Sequence, residues 1–211
     1  LSLAIAALLT AALSVEPFLY AALFIELAVL LCIPILSPPG KPVSSGVLRF
    51  LTFQTFGMFL LLFASWMIYN VELNANNPVL AIRAGVLLSL GFAMTLSIFP
   101  FNTWIPMITK DAPPYSTAFI IFMLSAIISL FAINVFARYS WLQSSLGISL
   151  WFPIVGLFMI FGGGLLSIFQ KNLGRMFGYA IVTEVGLIVI SISQISLATQ
   201  STVQIGDSII A

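Results

Sequence analysis

Histidine is absent from the chain, cysteine occurs once, and charged residues fill only 6% of the 211 positions. Each shortage excludes something. With no histidine and Cys32 as the sole thiol, the sequence holds no zinc set, no histidine-ligated haem and no disulfide framework. Cys32 lies in an apolar run and reads as a small hydrophobe. A formal net charge of +1 without any charge run leaves no electrostatic footprint for nucleic acid. Soluble domains carry about 25% charge. At 61% hydrophobic residues, this chain has more apolar surface than a soluble fold of its length can hide, so lipid is the solvent for most of it.

What the sequence does hold is a series of apolar runs near the length of about 20 residues that a bilayer demands. Seven spans are predicted: 1–13 (partial), 18–37, 47–70, 80–100, 115–138, 149–169 and 177–195. Turn chemistry separates them in "SPPGKP" (37–42), "ELNANNP" (72–78), "YSWLQSS" (139–145) and "QKNLGR" (170–175). The short connections make neighbouring helices antiparallel. The expected fold is therefore all-α, a polytopic transmembrane bundle, with residues 1–211 forming one membrane domain. The chain opens at Leu1 inside an apolar run and lacks the charged front of a signal peptide; the expectation is a fragment of a longer subunit. Lys41, Arg49, Lys110, Lys171 and Arg175 fall on one membrane face and Arg83 and Arg138 on the other. That excess assigns the first face to the cytoplasm or its organellar equivalent.

Small and aromatic residues punctuate the runs. Gly162, Gly163 and Gly164 read as a packing notch. Trp66, Trp104, Trp141 and Trp151 lie near helix ends, where indoles anchor at the interface.

Charges within a bilayer are costly and need a reason. Most here sit at helix ends, within reach of headgroups. Glu26 does not: it lies mid-span in "FLYAALFIELAVLLCIPIL". A carboxyl group there is a candidate proton relay, or a polar clasp between two helices. Glu184, in "GYAIVTEVGLIVI", lies nearer an end, where snorkelling or an ion pair also accounts for it. Between two apolar runs stands "SIFPFNTWIPMITKDAPPYSTAF" (97–119). Pro100 disturbs its helix, and Pro106, Pro113 and Pro114 prevent immediate continuation. Irregular backbone at membrane depth survives where protein or a watery cavity covers it, and broken helices in transporters line ion paths for that reason. An interfacial loop anchored by Trp104 is the plainer reading. If Glu26 and the interruption belong together, something hydrophilic lies between them.

"FPFNTWIPMITKDAPPYSTAF" resembles the "FPFHTWLPDAHxEAPTPVSAF" signature of the antiporter-like membrane subunits of respiratory complex I. Mrp-type cation/proton antiporter subunits and membrane subunits of energy-converting hydrogenases belong to the same family. "SVEPFLYAALFIELAVLLCIPIL" is similar to the family's fifth helix, and "IFQKNLGRMFGYAIVTEVGLIVISIS" to its "xxQxDIKRLLAYSTISQxGY" helix, with Arg175, Tyr179 and Gly186 in register. The resemblance implies a discontinuous helix near Pro100, marked by Pro100, Phe101, Asn102, Trp104 and Pro106. It implies a Glu, matched by Glu26, that pairs with a lysine on that broken helix, and further buried basic groups beyond it.

The basic groups are missing. The lysine position falls at about Thr95, the next near Ser129 or Leu130, and the loop histidine is Asn102. Thr95, Ser129 and Thr183, with Glu26 and Glu184, remain as ion-pathway candidates, but hydroxyls cannot supply alternating charge. The resemblance thus implies an integral multi-pass membrane subunit of a complex I-like, Mrp-type or hydrogenase assembly, in a bacterial, archaeal or organellar energy-transducing membrane. Its implied partners are other membrane subunits, the lipid bilayer, and protons or monovalent cations, with no nucleic acid. No cofactor is expected in this chain, and any redox chemistry belongs to partner subunits. Three functions stay open: ion translocation by a reduced route, a scaffold subunit with a degenerate channel, and an unrelated secondary solute transporter with a midplane pocket.

Overall fold

The computed structural model describes the backbone of all residues except 17, 38–39, 41–42, 74–77, 140, 142–147 and 211; side chains at 72–73, 78, 148–150 and 195–210 are also outside the description. Lys41 and most of the turns predicted at 37–42, 72–78 and 139–145 lie outside the described residues.

The described chain is a polytopic helical bundle. Its elements are α1 (Ser2–Ser14), α2 (Phe18–Leu36), α3 (Ser45–Leu73), α4 (Pro78–Thr95), a 3-10 turn (Phe101–Trp104), α5 (Ile105–Asp111), α6 (Pro114–Arg138), α7 (Ile148–Ile168) and α8 (Leu173–Ile210). Among the described residues, five stretches are long and apolar enough to cross a membrane: Phe18–Leu36, Ser45–Val71, Pro114–Arg138, Trp151–Ile168 and Leu173–Gln194. Ser2–Ser14 and Val79–Thr95 are shorter apolar helices. This is an integral, multi-pass membrane protein.

α3 packs on α2, α4 and α5, while α8 packs on α7, α5 and α6; α1 closes the other side against α2 and α6. Helices in lipid gain little from mutual hydrophobicity, so contact depends on close backbone approach. Glycines provide it. A Cβ at Gly57 would stand 2.7 Å from Thr95 Cγ2, and one at Gly91 would stand 2.8 Å from Leu61, so the α3–α4 seam needs both glycines. Gly156 and Gly186 face each other across α7 and α8 in the same way. The triple glycine of α7 divides. Gly163 lies against α8, with Tyr179 O 3.0 Å from where its Cβ would be, but Gly162 and Gly164 border open space. Only the middle residue is a packing notch.

The helix expected to reach residue 100 ends at Thr95. Pro100 has no N–H for the Leu96 carbonyl, its ring would collide with that carbonyl, and Phe99 before it is pushed out of helical conformation. The chain therefore turns early. Ser97 adopts φ 58°, its N–H donates to Met94 O at 3.2 Å, and Ile98 N–H donates to Ala93 O at 2.8 Å. This bond pair is the Schellman cap, with serine where glycine is usual. The Phe99–Pro100 bond is cis.

After the interruption α5 resumes toward the same membrane face. It is clamped: a Cβ at Gly46 of α3 would lie 2.7 Å from Ile108 N, and one at Gly178 of α8 would lie 2.6 Å from Pro106 Cα. Trp104 is not an interfacial anchor. The break carries it inward, where it is 3% exposed and its ring lies 4.9 Å from that of Phe50. Trp66 and Trp151, by contrast, are exposed.

Candidate functional site

Two hydrogen bonds organise the polar groups near the break. Gln54 of α3, fully buried, donates from Nε2 to Thr95 O at 2.9 Å. A terminal carbonyl of α4 is thereby satisfied by a side-chain amide. The Thr95 hydroxyl turns back onto its own helix, donating to Gly91 O at 3.0 Å. One residue along α3, Thr55 donates from Oγ1 to Glu26 Oε1 at 2.8 Å.

These bonds leave α3 on different sides, as consecutive residues of an α-helix must, about 100° apart. Gln54 points inward to α4 and is buried; Thr55 points outward to α2 and is exposed. Glu26 is half-buried on that outer seam. Among the described residues it bonds no part of the break and pairs with no cation. Among the described residues its second oxygen, Oε2, is buried without a partner, as is Oε1 of Gln54.

The other candidates are not gathered around Glu26. Ser129 on α6 donates to Ala126 O at 2.8 Å, and Thr183 on α8 to Ala180 O at 2.6 Å. Like Thr95, both satisfy their hydroxyls on the preceding turn, the local alternative that serine and threonine favour within helices. Glu184 is exposed on a groove of about 220 Å³ between α6 and α8, lined by residues such as Phe122, Ser125 and Ile188. Among the described residues it has neither the ion pair nor the hydrogen bond that would tie it down.

Phe101 and Asn102 lie beside the break in two different settings. Phe101 packs on Phe53 at 5.9 Å. Asn102 and Pro106 line a cavity of about 490 Å³ that also touches Arg49, Arg175 and Tyr179. Arg49 and Arg175, assigned to one membrane face by charge counting, thus share one opening. On the opposite face Arg138 Nη1 pairs with Glu16 Oε1 at 3.0 Å.

The sequence reading missed Gln54 and Thr55. The signal was there: two adjacent polar residues in "FLTFQTFGMFL", well inside an apolar span, where polar groups need partners.

A family profile described as "NADH:quinone oxidoreductase/Mrp antiporter, TM" matches residues 18–205. The curated relatives include NADH-quinone oxidoreductase subunit N of Desulfitobacterium hafniense, 26% identical over 76% of this chain and 35% of the relative. Subunit N of Buchnera aphidicola is 30% identical over 63% of this chain and 30% of the relative. Subunit N 1 of Opitutus terrae is 30% identical over 58% of this chain and 24% of the relative. The chain spans about a third or less of the length of these relatives.

Proposed function

Since the chain belongs to the NADH:quinone oxidoreductase/Mrp antiporter transmembrane family, we propose that it forms part of an antiporter-like membrane subunit of a complex I-like assembly, and that the ion path within it is degenerate. One observation carries the second half of this reading. Glu26 is bonded to a neutral hydroxyl on the outer side of α3, while Thr95, at the position the family resemblance gives to a lysine, is tied to a neutral amide on the inner side.

A charge-alternation step needs an acid and a cation whose pairing changes. Here α3 stands between the acid and the broken helix, with Thr55 bonded to one and Gln54 to the other. The hydroxyls of Thr95, Ser129 and Thr183 are engaged with carbonyls of their own helices. What the segment has is a tightly packed frame: an interrupted helix clamped by glycines from both neighbours. That architecture serves assembly with other membrane subunits.

The test is a Glu26→Gln substitution in the full-length subunit, with the assembled complex reconstituted in proteoliposomes. Proton transfer per turnover is expected to equal that of the unsubstituted complex. A several-fold drop with the complex still assembled overturns the degenerate reading and makes Glu26 a working relay.

A further inference from the structure

The opening beside the break has an amphipathic lining that the ion path does not use. At its mouth stand Arg49, from the first turns of α3, and Arg175, from the first turn of α8, with Gln170 nearby. Farther along the helices it is flanked by Phe99 of the break and Phe158 of α7, both exposed, and by Met159. The Phe99 and Phe158 rings meet edge to face at 4.9 Å. Phe158 lies ten residues before the end of α7 at Ile168, which at 1.5 Å per residue places it about 15 Å below the mouth. Among the described residues neither guanidinium has an ion-pair partner.

A cavity with two cations at headgroup level and aromatic and thioether groups below matches one chemistry: an anionic phosphodiester carrying an acyl chain. We propose that this cavity of about 490 Å³ is a binding site for an anionic glycerophospholipid, its phosphate held between Arg49 and Arg175 and the start of an acyl chain laid along Phe99 and Phe158. Guanidinium forks suit phosphate oxygens geometrically. Charge counting assigns this mouth to the cytoplasmic side or its organellar equivalent, and anionic lipids concentrate in cytoplasmic leaflets. A phosphate without a chain would leave the exposed rings of Phe99 and Phe158 uncovered, and a zwitterionic lipid would bring its own cation toward two others.

The proposal is independent of whether Glu26 moves protons. Its test uses the full-length subunit in its assembled complex, delipidated and titrated with phosphatidylglycerol, phosphatidylcholine or inorganic phosphate, with bound lipid read by native mass spectrometry. The expected result is at least tenfold tighter retention of phosphatidylglycerol than of phosphatidylcholine, no displacement by inorganic phosphate at equal concentration, and loss of that preference in an Arg49→Gln, Arg175→Gln double variant. Arg83→Gln, on the opposite face, should leave it intact. A Gly162→Leu variant tests the same site without touching charge: a Cβ there meets nothing within 4 Å, so its side chain enters the cavity and should lower lipid retention several-fold. Equal retention in the double variant and in Gly162→Leu overturns the site. Competition by inorganic phosphate reduces it to an anion site, and an equal loss in Arg83→Gln reduces it to unspecific surface charge; either result overturns the lipid assignment.

Discussion

The α3–α4 seam and the α7–α8 seam use the same small-residue device and end differently. Between α3 and α4, Gly57 and Gly91 bring the backbones together, and the seam stays shut up to Thr95, where Gln54 satisfies a buried terminal carbonyl. Between α7 and α8, Gly156, Gly186 and Gly163 bring the backbones together, but from Phe158 onward the flank of α7 that meets the interruption borders an arginine-rimmed cavity. The difference teaches that the broken helix has two sides. One is closed, neutral and tightly packed. The other is open, cationic and lined by aromatic rings.

Substitutions can break or sharpen this contrast. The largest effect is expected at the clamp common to both sides. Gly178→Leu drives a side chain into the backbone at Pro106 and should destabilise the subunit by about 3 kcal/mol. The thermal midpoint of the purified complex should fall by several degrees, and an unchanged midpoint would show that α5 is not held as described. On the closed side, Gln54→Leu removes the donor to Thr95 O and should cost about 1–2 kcal/mol, since a buried carbonyl loses its partner. Denaturation in mixed micelles measures it; a neutral result would mean the carbonyl finds another donor. Across the triple glycine, Gly163→Ala should cost about 1 kcal/mol through its contact with Tyr179 O, whereas Gly162→Ala should stay within about 0.5 kcal/mol. Equal costs would erase the distinction between notch and cavity wall. The smallest effect has the opposite sign: Ser97→Gly relieves a left-handed serine and should stabilise by about 0.5 kcal/mol.

Much of this architecture was legible in the sequence because lipid enforces it. Apolar runs of bilayer length and turn residues between them fix the helices, and prolines flag the interruption. The register of the break was less legible. Pro100 marks the cause, but its steric effect acts on Leu96 and Phe99, so the helix stops five residues sooner, at Thr95. Trp104 was misleading because an indole near a loop suits an interface, and only the inward turn of the chain buries it against Phe50. Of the polar residues, Glu26 stood out as a charge in lipid. Its partner did not, because a serine or threonine in an apolar helix ordinarily bonds its own backbone, as Thr95, Ser129 and Thr183 do here. That Thr55 instead reaches across to Glu26 depends on how α2 meets α3, which no local pattern encodes.

The most direct measurement is turnover-induced infrared difference spectroscopy on the assembled complex, comparing the unsubstituted subunit with Glu26→Gln. If Glu26 is held by Thr55 and takes no part in ion transfer, the carboxyl region of the two spectra is the same. A carboxyl band that rises and falls with turnover and vanishes in Glu26→Gln would show the acid changing protonation during the cycle, and would contradict the account.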